Sequence, residues 1–146
     1  MTLELGDATR SRLTAPAVRG FLRIAEQWGL SEAQQLSILG GSVDAGTFAD
    51  WRQAPPALLG SDQLERLSYV LGIYEGLERI FRHAPDQSVR WLSAPRPETP
   101  FAGRTALEVM ISDGVVGVAA VRHYVDRVNG GPLSRDGALP PRGVAG

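Results

Sequence analysis

Cysteine is absent from the 146 residues of this chain. Without thiols, disulfide bridges, thiolate-bound zinc, iron-sulfur clusters and cysteine redox chemistry are excluded. Lysine is absent too, so all fifteen basic residues are arginine. The net charge is −1, and this balance lacks the broad positive footprint that many nucleic-acid-binding proteins carry.

Histidines are few and isolated. His83 and His123 stand far apart, and neither lies in a spacing that metal sites use. The sequence contains no phosphate-binding loop, nucleophile elbow or dinucleotide-binding fingerprint. We therefore expect a binding protein with no metal, no cofactor and no catalytic residues. A small enzyme would require a ligand site that no motif indicates.

Long apolar runs are missing as well. No stretch of 18 consecutive apolar residues occurs, and the first residues do not form a basic segment followed by an apolar one. The chain is therefore expected to be cytoplasmic, neither secreted nor membrane-spanning. Its 43% apolar and 21% charged residues are typical of a folded globular protein.

Helical periodicity begins at Pro16, a residue suited to a first helical turn, and ends near Trp28. Residues 1–14 lack it and are interpreted as an N-terminal arm. Ser31 and Gln34 form a capping box that starts a second helix, which runs to about Leu39. A third helix begins near Asp44 and ends before two consecutive prolines.

Two short helices joined by a glycine-containing turn indicate a helix-turn-helix layout. In such a unit the second helix enters the major groove, so Thr47, Arg52 and Gln53 are the candidate DNA-binding residues. Asp44 and Asp50 on the same helix would repel phosphates. The alternative is a helical hairpin that serves only packing or dimerisation.

The strongest helical pattern runs from Ser61 or Asp62 to Phe81. Its predicted apolar stripe consists of Leu64, Leu67, Val70, Leu71, Tyr74, Leu77 and Phe81. Gly72 and Gly76 interrupt this helix four residues apart, which predicts that another helix crosses it closely there.

The C-terminal half begins with Trp91, which is predicted to anchor it within a single helical turn. Three prolines between residues 94 and 100 then predict a linker or bracing loop. A capping box at Thr105 and Glu108 starts a short helix. The valines that follow could form a strand, but their steps of three and four favour a helix ending at Asn129.

The order of these features resembles the antitoxins of the Xre/MbcA/ParS-like group. The resemblance is carried by a helix ending in Phe, a Trp-Leu turn, a capping box, a glycine and a final helix, at residues 66–81, 91–95, 103–107, 114 and 121–130. Two positions depart from the family pattern: Ala106 replaces the proline usual after the capping Thr, and Arg96-Pro97 replaces an Asn-containing region. These departures affect contact details.

The resemblance implies an all-α fold, with a helix-turn-helix-like N-terminal unit packed with a small helical toxin-binding unit. The expected divisions are an arm (1–14), an Xre-like unit with the long core helix (15–84), a toxin-binding domain (85–131) and a flexible tail (132–146). It further implies a type II antitoxin that covers the active-site cleft of an NAD-consuming RES-domain toxin. Dimerisation and repression of its own operon through operator DNA would accompany that role.

The resemblance also suggests the contact surface for the toxin. The candidate toxin-binding residues are Arg104, Glu108, Ser112, Asp113, Arg122, Arg127 and Asn129. Each of them could equally be an ordinary solvated side chain. The competing interpretation of the whole chain is a stand-alone helix-turn-helix transcriptional regulator without a toxin partner.

Overall fold

The computed structural model describes residues 6–41 and 43–130. These residues form an all-α fold, as predicted, with no strand among them. The helices are α1 (Asp7–Trp28), α2 (Glu32–Ile38), α3 (Ala45–Gln53), α4 (Ser61–Phe81), α5 (Pro85–Ser93), α6 (Ala106–Ser112) and α7 (Gly114–Gly130). None of these helices is both long and apolar enough to cross a membrane.

Helix α4 belongs to two compact units, because the first unit ends at Leu71 and the second begins at Gly72. The boundary expected from the sequence lay beyond this helix, at residue 84. The predicted tail, residues 132–146, lies outside the described residues.

Helix α1 begins at Asp7, so the predicted start at Pro16 is wrong and residues 7–14 do not form an arm. A guanidinium nitrogen of Arg10 donates to the carbonyl of Leu59 at 2.8 Å. The Leu59 N–H in turn donates to the hydroxyl of Thr14 at 3.1 Å. These tertiary hydrogen bonds stabilise a helical segment with little apolar periodicity, which is why the sequence pattern missed it.

The starts of α2 and α3 follow the predicted capping residues. The hydroxyl of Ser31 accepts from the N–H of Gln34, and the Gln34 side chain accepts from the N–H of Ser31. The carboxylate of Asp44 accepts from the N–H of Thr47 at 2.8 Å. Each cap satisfies backbone donors that a helix leaves without internal partners. Helix α3 buries both of its aromatic side chains.

The core face of α4 differs in part from the predicted stripe. Five of the seven predicted positions are buried: Leu64, Leu67, Val70, Leu77 and Phe81. Leu71 and Tyr74 are only partly buried, whereas Ile73 and Ile80 are buried instead. The placement of Leu71 and Tyr74 in the core is therefore wrong, because the buried face turns along the helix towards Ile73 and Ile80.

The predicted close crossing at the two glycines of α4 is confirmed, and the crossing helix is α7. A β-carbon at Gly76 would overlap the side chain of Val125, and one at Gly72 would overlap the guanidinium of Arg122. The side-chain amide of Asn129 donates to the carbonyl of Gly76 at 3.0 Å. Only glycine permits this approach of two helices.

The remaining helices complete the second unit. Helix α5 extends over Pro85–Ser93 and is longer than the single turn predicted around Trp91. The capping box of Thr105 and Glu108 starts α6 as predicted. The valine-rich segment is helical, which confirms the helix prediction and excludes the strand.

Candidate functional site

Three aromatic rings form the centre of the second unit. Trp91 of α5 contacts Phe101 of the loop between α5 and α6 at 5.9 Å and Tyr124 of α7 at 6.0 Å between ring centroids. Phe101 and Tyr124 stack edge to face at 5.0 Å. All three side chains are buried. Trp91 thus anchors the second unit, as the sequence predicted, and edge-to-face stacking adds to the apolar burial.

A buried arginine covers this aromatic cluster. The guanidinium of Arg96 lies 4.7 Å from the ring of Trp91, and only 7% of the residue is exposed. Its Nε and Nη2 atoms have no hydrogen-bond partner among the described residues. Burial lowers the pKa of Arg96 below its ordinary value, because a desolvated charge is disfavoured.

The loop between α5 and α6 is braced by its own backbone. The N–H of Arg96 donates to the carbonyl of Arg104 at 3.2 Å, and the carbonyl of Arg96 accepts from the N–H of Gly103 at 2.6 Å. Of the two alternatives left open for this segment, a linker and a bracing loop, the hydrogen bonds favour the bracing loop. These backbone hydrogen bonds close the loop between Arg96 and Arg104.

Four candidate toxin-binding residues gather around α6. Arg104 donates two parallel hydrogen bonds to the carboxylate of Asp113, at 3.0 and 2.9 Å. These bonds raise the pKa of Arg104 and lower the pKa of Asp113. Glu108 caps α6 by accepting from the N–H of Thr105 at 2.9 Å. Ser112 is exposed at the end of the helix.

The other three candidates lie on α7 and point in different directions. Asn129 and Arg122 face α4, as their contacts with its glycines show. Arg122 also forms an ion pair of 3.0 Å with Asp126. Arg127 is exposed, with its guanidinium 5.7 Å from the ring of Tyr124. The seven candidates therefore do not form one patch.

The outer face of α7 carries a residue that the sequence analysis missed. Val116 is 74% exposed, more than Leu13 or Leu58, the other exposed large hydrophobic residues of the described chain. It shares a helix face with Ala120, His123 and Arg127, at steps of four, three and four residues. The exposed position of Val116 could have been recognised from the sequence, because its face of α7 lies opposite the valines whose spacing predicted the helix.

The candidate DNA-binding residues of α3 are all exposed. Arg52 forms an ion pair of 3.2 Å with Glu32 and lies 4.9 Å from the ring of Phe48. Thr47 and Gln53 are exposed at opposite ends of the helix, and the side chain of Thr47 is hydrogen-bonded to Asp44. The single basic side chain of α3 is therefore already engaged, which weakens its fit to a phosphate backbone.

A basic stripe lies instead on α1, formed by the exposed residues Arg12, Arg19 and Arg23. Their spacing of seven and four residues places them on the helix face opposite the buried side chains. Within the described part of the chain, no ion pair involves these three arginines. Glu26 is the one acidic residue near the end of this face.

The described residues contain no group of three or more His, Cys, Asp or Glu side chains that could hold a metal ion. The ionisable side chains close to one another form ion pairs or helix caps. The candidate toxin-binding residues thus lie around α6 and α7, and the candidate DNA-binding residues and the basic stripe lie on α3 and α1.

Comparisons with known proteins match both units. The profile of the antitoxin Xre-like helix-turn-helix domain matches residues 5–72. The profile of the antitoxin Xre/MbcA/ParS C-terminal toxin-binding domain matches residues 76–131. The chain is also 36% identical over 114 residues to the uncharacterized protein y4oB of Sinorhizobium fredii (strain NBRC 101917 / NGR234), covering 78% of this chain and 84% of that protein.

Proposed function

The chain belongs to the Xre/MbcA/ParS antitoxin family, and we propose that it neutralises an NAD-consuming RES-domain toxin by covering the toxin's active-site cleft. The observation that supports this proposal is that the family profiles and the packing of the structure divide the chain at nearly the same place. The helix-turn-helix match ends at residue 72 and the toxin-binding match begins at residue 76. The two compact units meet between Leu71 and Gly72.

Inhibition by covering a cleft requires a rigid surface and no chemistry from the inhibitor. The second unit supports this role because α6 is capped at its start and clamped at its end by the Arg104–Asp113 pair. A preorganised surface loses little conformational entropy when it docks. The role of the family is regulatory, and the proposal assigns the enzymatic step to the partner.

The proposal is tested by co-expressing the full-length chain with the product of the gene adjacent to its own, as the toxin that the proposal expects there. Cells that produce the toxin alone should lose NAD and stop growing, whereas the full-length chain should restore both and co-purify with the toxin. A chain that co-purifies with nothing and leaves NAD depleted would refute the proposal. NAD that stays constant with the toxin alone would refute the RES-domain assignment.

A matched pair of variants locates the neutralising surface. Replacing Arg104 and Asp113 with alanine removes an exposed ion pair of the second unit, with side chains 39% and 38% exposed. Replacing Arg52 and Glu32 removes a comparable pair of the first unit, with side chains 44% and 47% exposed. The first double variant should weaken neutralisation, and the second should leave it intact.

We further propose that the first unit binds operator DNA and represses the operon of the antitoxin. The helix-turn-helix match and the basic stripe of Arg12, Arg19 and Arg23 support this second function. Arginine side chains on one helix face can contact successive phosphates. A protein with these two roles acts in the cytoplasm, where NAD and the operon are found.

Self-association as a dimer is part of the same proposal. Leu13 and Leu58, which are 45% and 43% exposed, provide apolar surface on the first unit. Sedimentation equilibrium of the wild-type chain and of a variant with aspartate at both positions tests it. The wild type should sediment as a dimer and the variant as a monomer.

A further inference from the structure

On the exposed face of α7, the guanidinium of Arg127 lies 5.7 Å from the ring of Tyr124, but the exposed Val116 has no role in the fold that accounts for it. Val116, Ala120, His123 and Arg127, here called the outer stripe, lie opposite the buried Val118, Val121 and Val125. A β-branched residue is a weak helix former, and an exposed one gains nothing from burial. An exposed valine is therefore unfavourable in this helix, and no contact compensates for it. Such a local cost without compensation is typical of functional positions.

The location of the outer stripe indicates which partner covers it. Val116 lies within residues 76–131, which match the toxin-binding domain. Leu13 and Leu58, the other exposed large hydrophobic residues of the described chain, lie within the helix-turn-helix match instead. The second unit therefore presents one prominent apolar side chain, and its family partner is a toxin.

The charge of the outer stripe limits the chemistry of that partner. His123 and Arg127 follow Val116 and Ala120 along the same face, and no acidic residue lies on it. The nearest acidic residue of α7, Asp126, is paired with Arg122. A complementary surface would offer an apolar pocket at one end and a carboxylate at the other.

We propose that α7 docks its outer stripe into a groove of the toxin, with Val116 in an apolar pocket and Arg127 facing an acidic side chain. This inference rests on the toxin-neutralising function proposed above and names its main contact surface. Anchors at steps of four, three and four residues are the pattern by which a helix occupies a groove.

Helix α7 is held in place for such docking by contacts along its other faces. Asn129 donates to the carbonyl of Gly76, and Tyr124 donates to Glu98. The helix therefore does not need to fold on binding, and only exposed side chains lose freedom. Apolar anchors in desolvated pockets carry a large share of the affinity of protein interfaces.

The test measures binding of full-length variants to the adjacent toxin, purified from its complex with the wild-type chain. Val116→Asp should weaken binding by about 100-fold or more, and Val116→Ala by about tenfold. Aspartate suits the first turn of a helix, so the folded chain should tolerate it. Val116→Arg distinguishes an apolar pocket from a charged one, because an apolar pocket excludes a charge of either sign. It should therefore weaken binding as strongly as Val116→Asp.

A matched control comes from elsewhere in the chain. Arg127→Glu should slow association and weaken binding about tenfold or more, whereas Arg90→Glu, an exposed arginine of α5, should not. Melting temperatures of all variants confirm that the fold is retained.

The outcomes separate this inference from the function on which it rests. A wild-type chain that does not bind the toxin overturns both. A wild-type chain that binds, together with a folded Val116→Asp variant of equal affinity, overturns the docking surface alone. Val116→Arg with wild-type affinity overturns the apolar pocket.

Discussion

The hydroxyl of Tyr124 donates a hydrogen bond of 2.9 Å to a carboxylate oxygen of Glu98, and it joins helix α7 to the loop before α6. Tyr124 is buried against the rings of Trp91 and Phe101. Burial, followed by the hydrogen bond and the charge of Glu98, raises the pKa of Tyr124 to about 12. The second unit is therefore stabilised by a tyrosine that must stay protonated.

This bond predicts a loss of stability in alkali. The pKa of tyrosine in the unfolded chain is about 10, so the folded chain retains a proton that the unfolded chain loses between about pH 10 and pH 12. Below about pH 10, the contribution of Tyr124 to the free energy of unfolding should be constant. As the pH rises from about 10 to about 12, the free energy of unfolding should fall by about 2 to 3 kcal/mol.

Tyr124→Phe provides the matched comparison. The variant should be less stable than the wild type by about 1 to 2 kcal/mol near neutral pH, and its decline above about pH 10 should be smaller. Urea denaturation at several pH values measures both. An equal decline in the variant and the wild type would show that Tyr124 does not ionise in this window.

Local signals in the sequence predicted much of the fold. The capping boxes at Ser31 and Thr105 and the spacing of the valines in α7 act within a few residues, so they can be recognised without tertiary contacts. The start of α1 was missed because it depends on tertiary hydrogen bonds such as the one between Thr14 and Leu59, which are 45 residues apart. Such long-range contacts leave no periodic trace in the sequence.

The candidate site was predicted less completely, for related reasons. The error at Pro16 kept Arg12 out of the helix, so its alignment with Arg19 and Arg23 was not recognised. The sequence placed Asn129 on the toxin-binding surface, but its amide is bonded to Gly76 of α4. The assignment of the toxin-binding residues stays a prediction, which binding measurements on the variants above can decide.

The aromatic cluster predicts a large effect at Trp91. Trp91→Ala should lower the free energy of unfolding by about 3 to 5 kcal/mol, because it leaves a cavity between Phe101 and Tyr124. Val116→Ala, at an exposed position, should change it by less than about 0.5 kcal/mol. Thermal or urea denaturation measures both. A Trp91→Ala variant as stable as the wild type would contradict the anchoring role.

Substitution of Arg96, unlike that of Trp91, should not lower the free energy of unfolding. Its buried Nε and Nη2 atoms have no partner among the described residues, so the folded chain bears a desolvation cost. Methionine preserves the contact of an unbranched side chain with Trp91 and removes the charge. Arg96→Met should therefore be at least as stable as the wild type in urea denaturation. A clear loss of stability would show that the guanidinium makes a compensating interaction.

The crossing of α4 and α7 predicts three different effects of adding a methyl group. Gly76→Ala meets the stiff side chain of Val125 and should cost about 1 to 3 kcal/mol. Gly72→Ala meets the flexible end of Arg122, which can move away, so its cost should be smaller. Gly130→Ala has no neighbour within 4 Å and should stabilise the helix by about 0.5 to 1 kcal/mol. Denaturation midpoints that fail to follow this order would contradict the close crossing.

The basic stripe predicts how operator binding depends on salt. Each phosphate neutralised by a basic side chain adds about 0.9 to the slope of log affinity against log salt. Replacing Arg12, Arg19 and Arg23 with alanine should therefore reduce that slope by about 2 to 3. Replacing the exposed Arg79, Arg82 and Arg90 of the second unit is the matched control and should leave the slope unchanged.

Helix α3 should affect base readout rather than salt dependence. Replacing Thr47 and Arg52 with alanine should reduce the preference for the chain's own promoter over unrelated DNA, because base contacts carry sequence information and phosphate contacts do not. Fluorescence anisotropy over a range of salt concentrations measures both quantities on the same variants. If removal of the three α1 arginines left the slope as it is in the wild type, the basic stripe would not contact DNA. If Thr47 and Arg52 were dispensable for promoter preference, α3 would lose its assignment as the recognition helix.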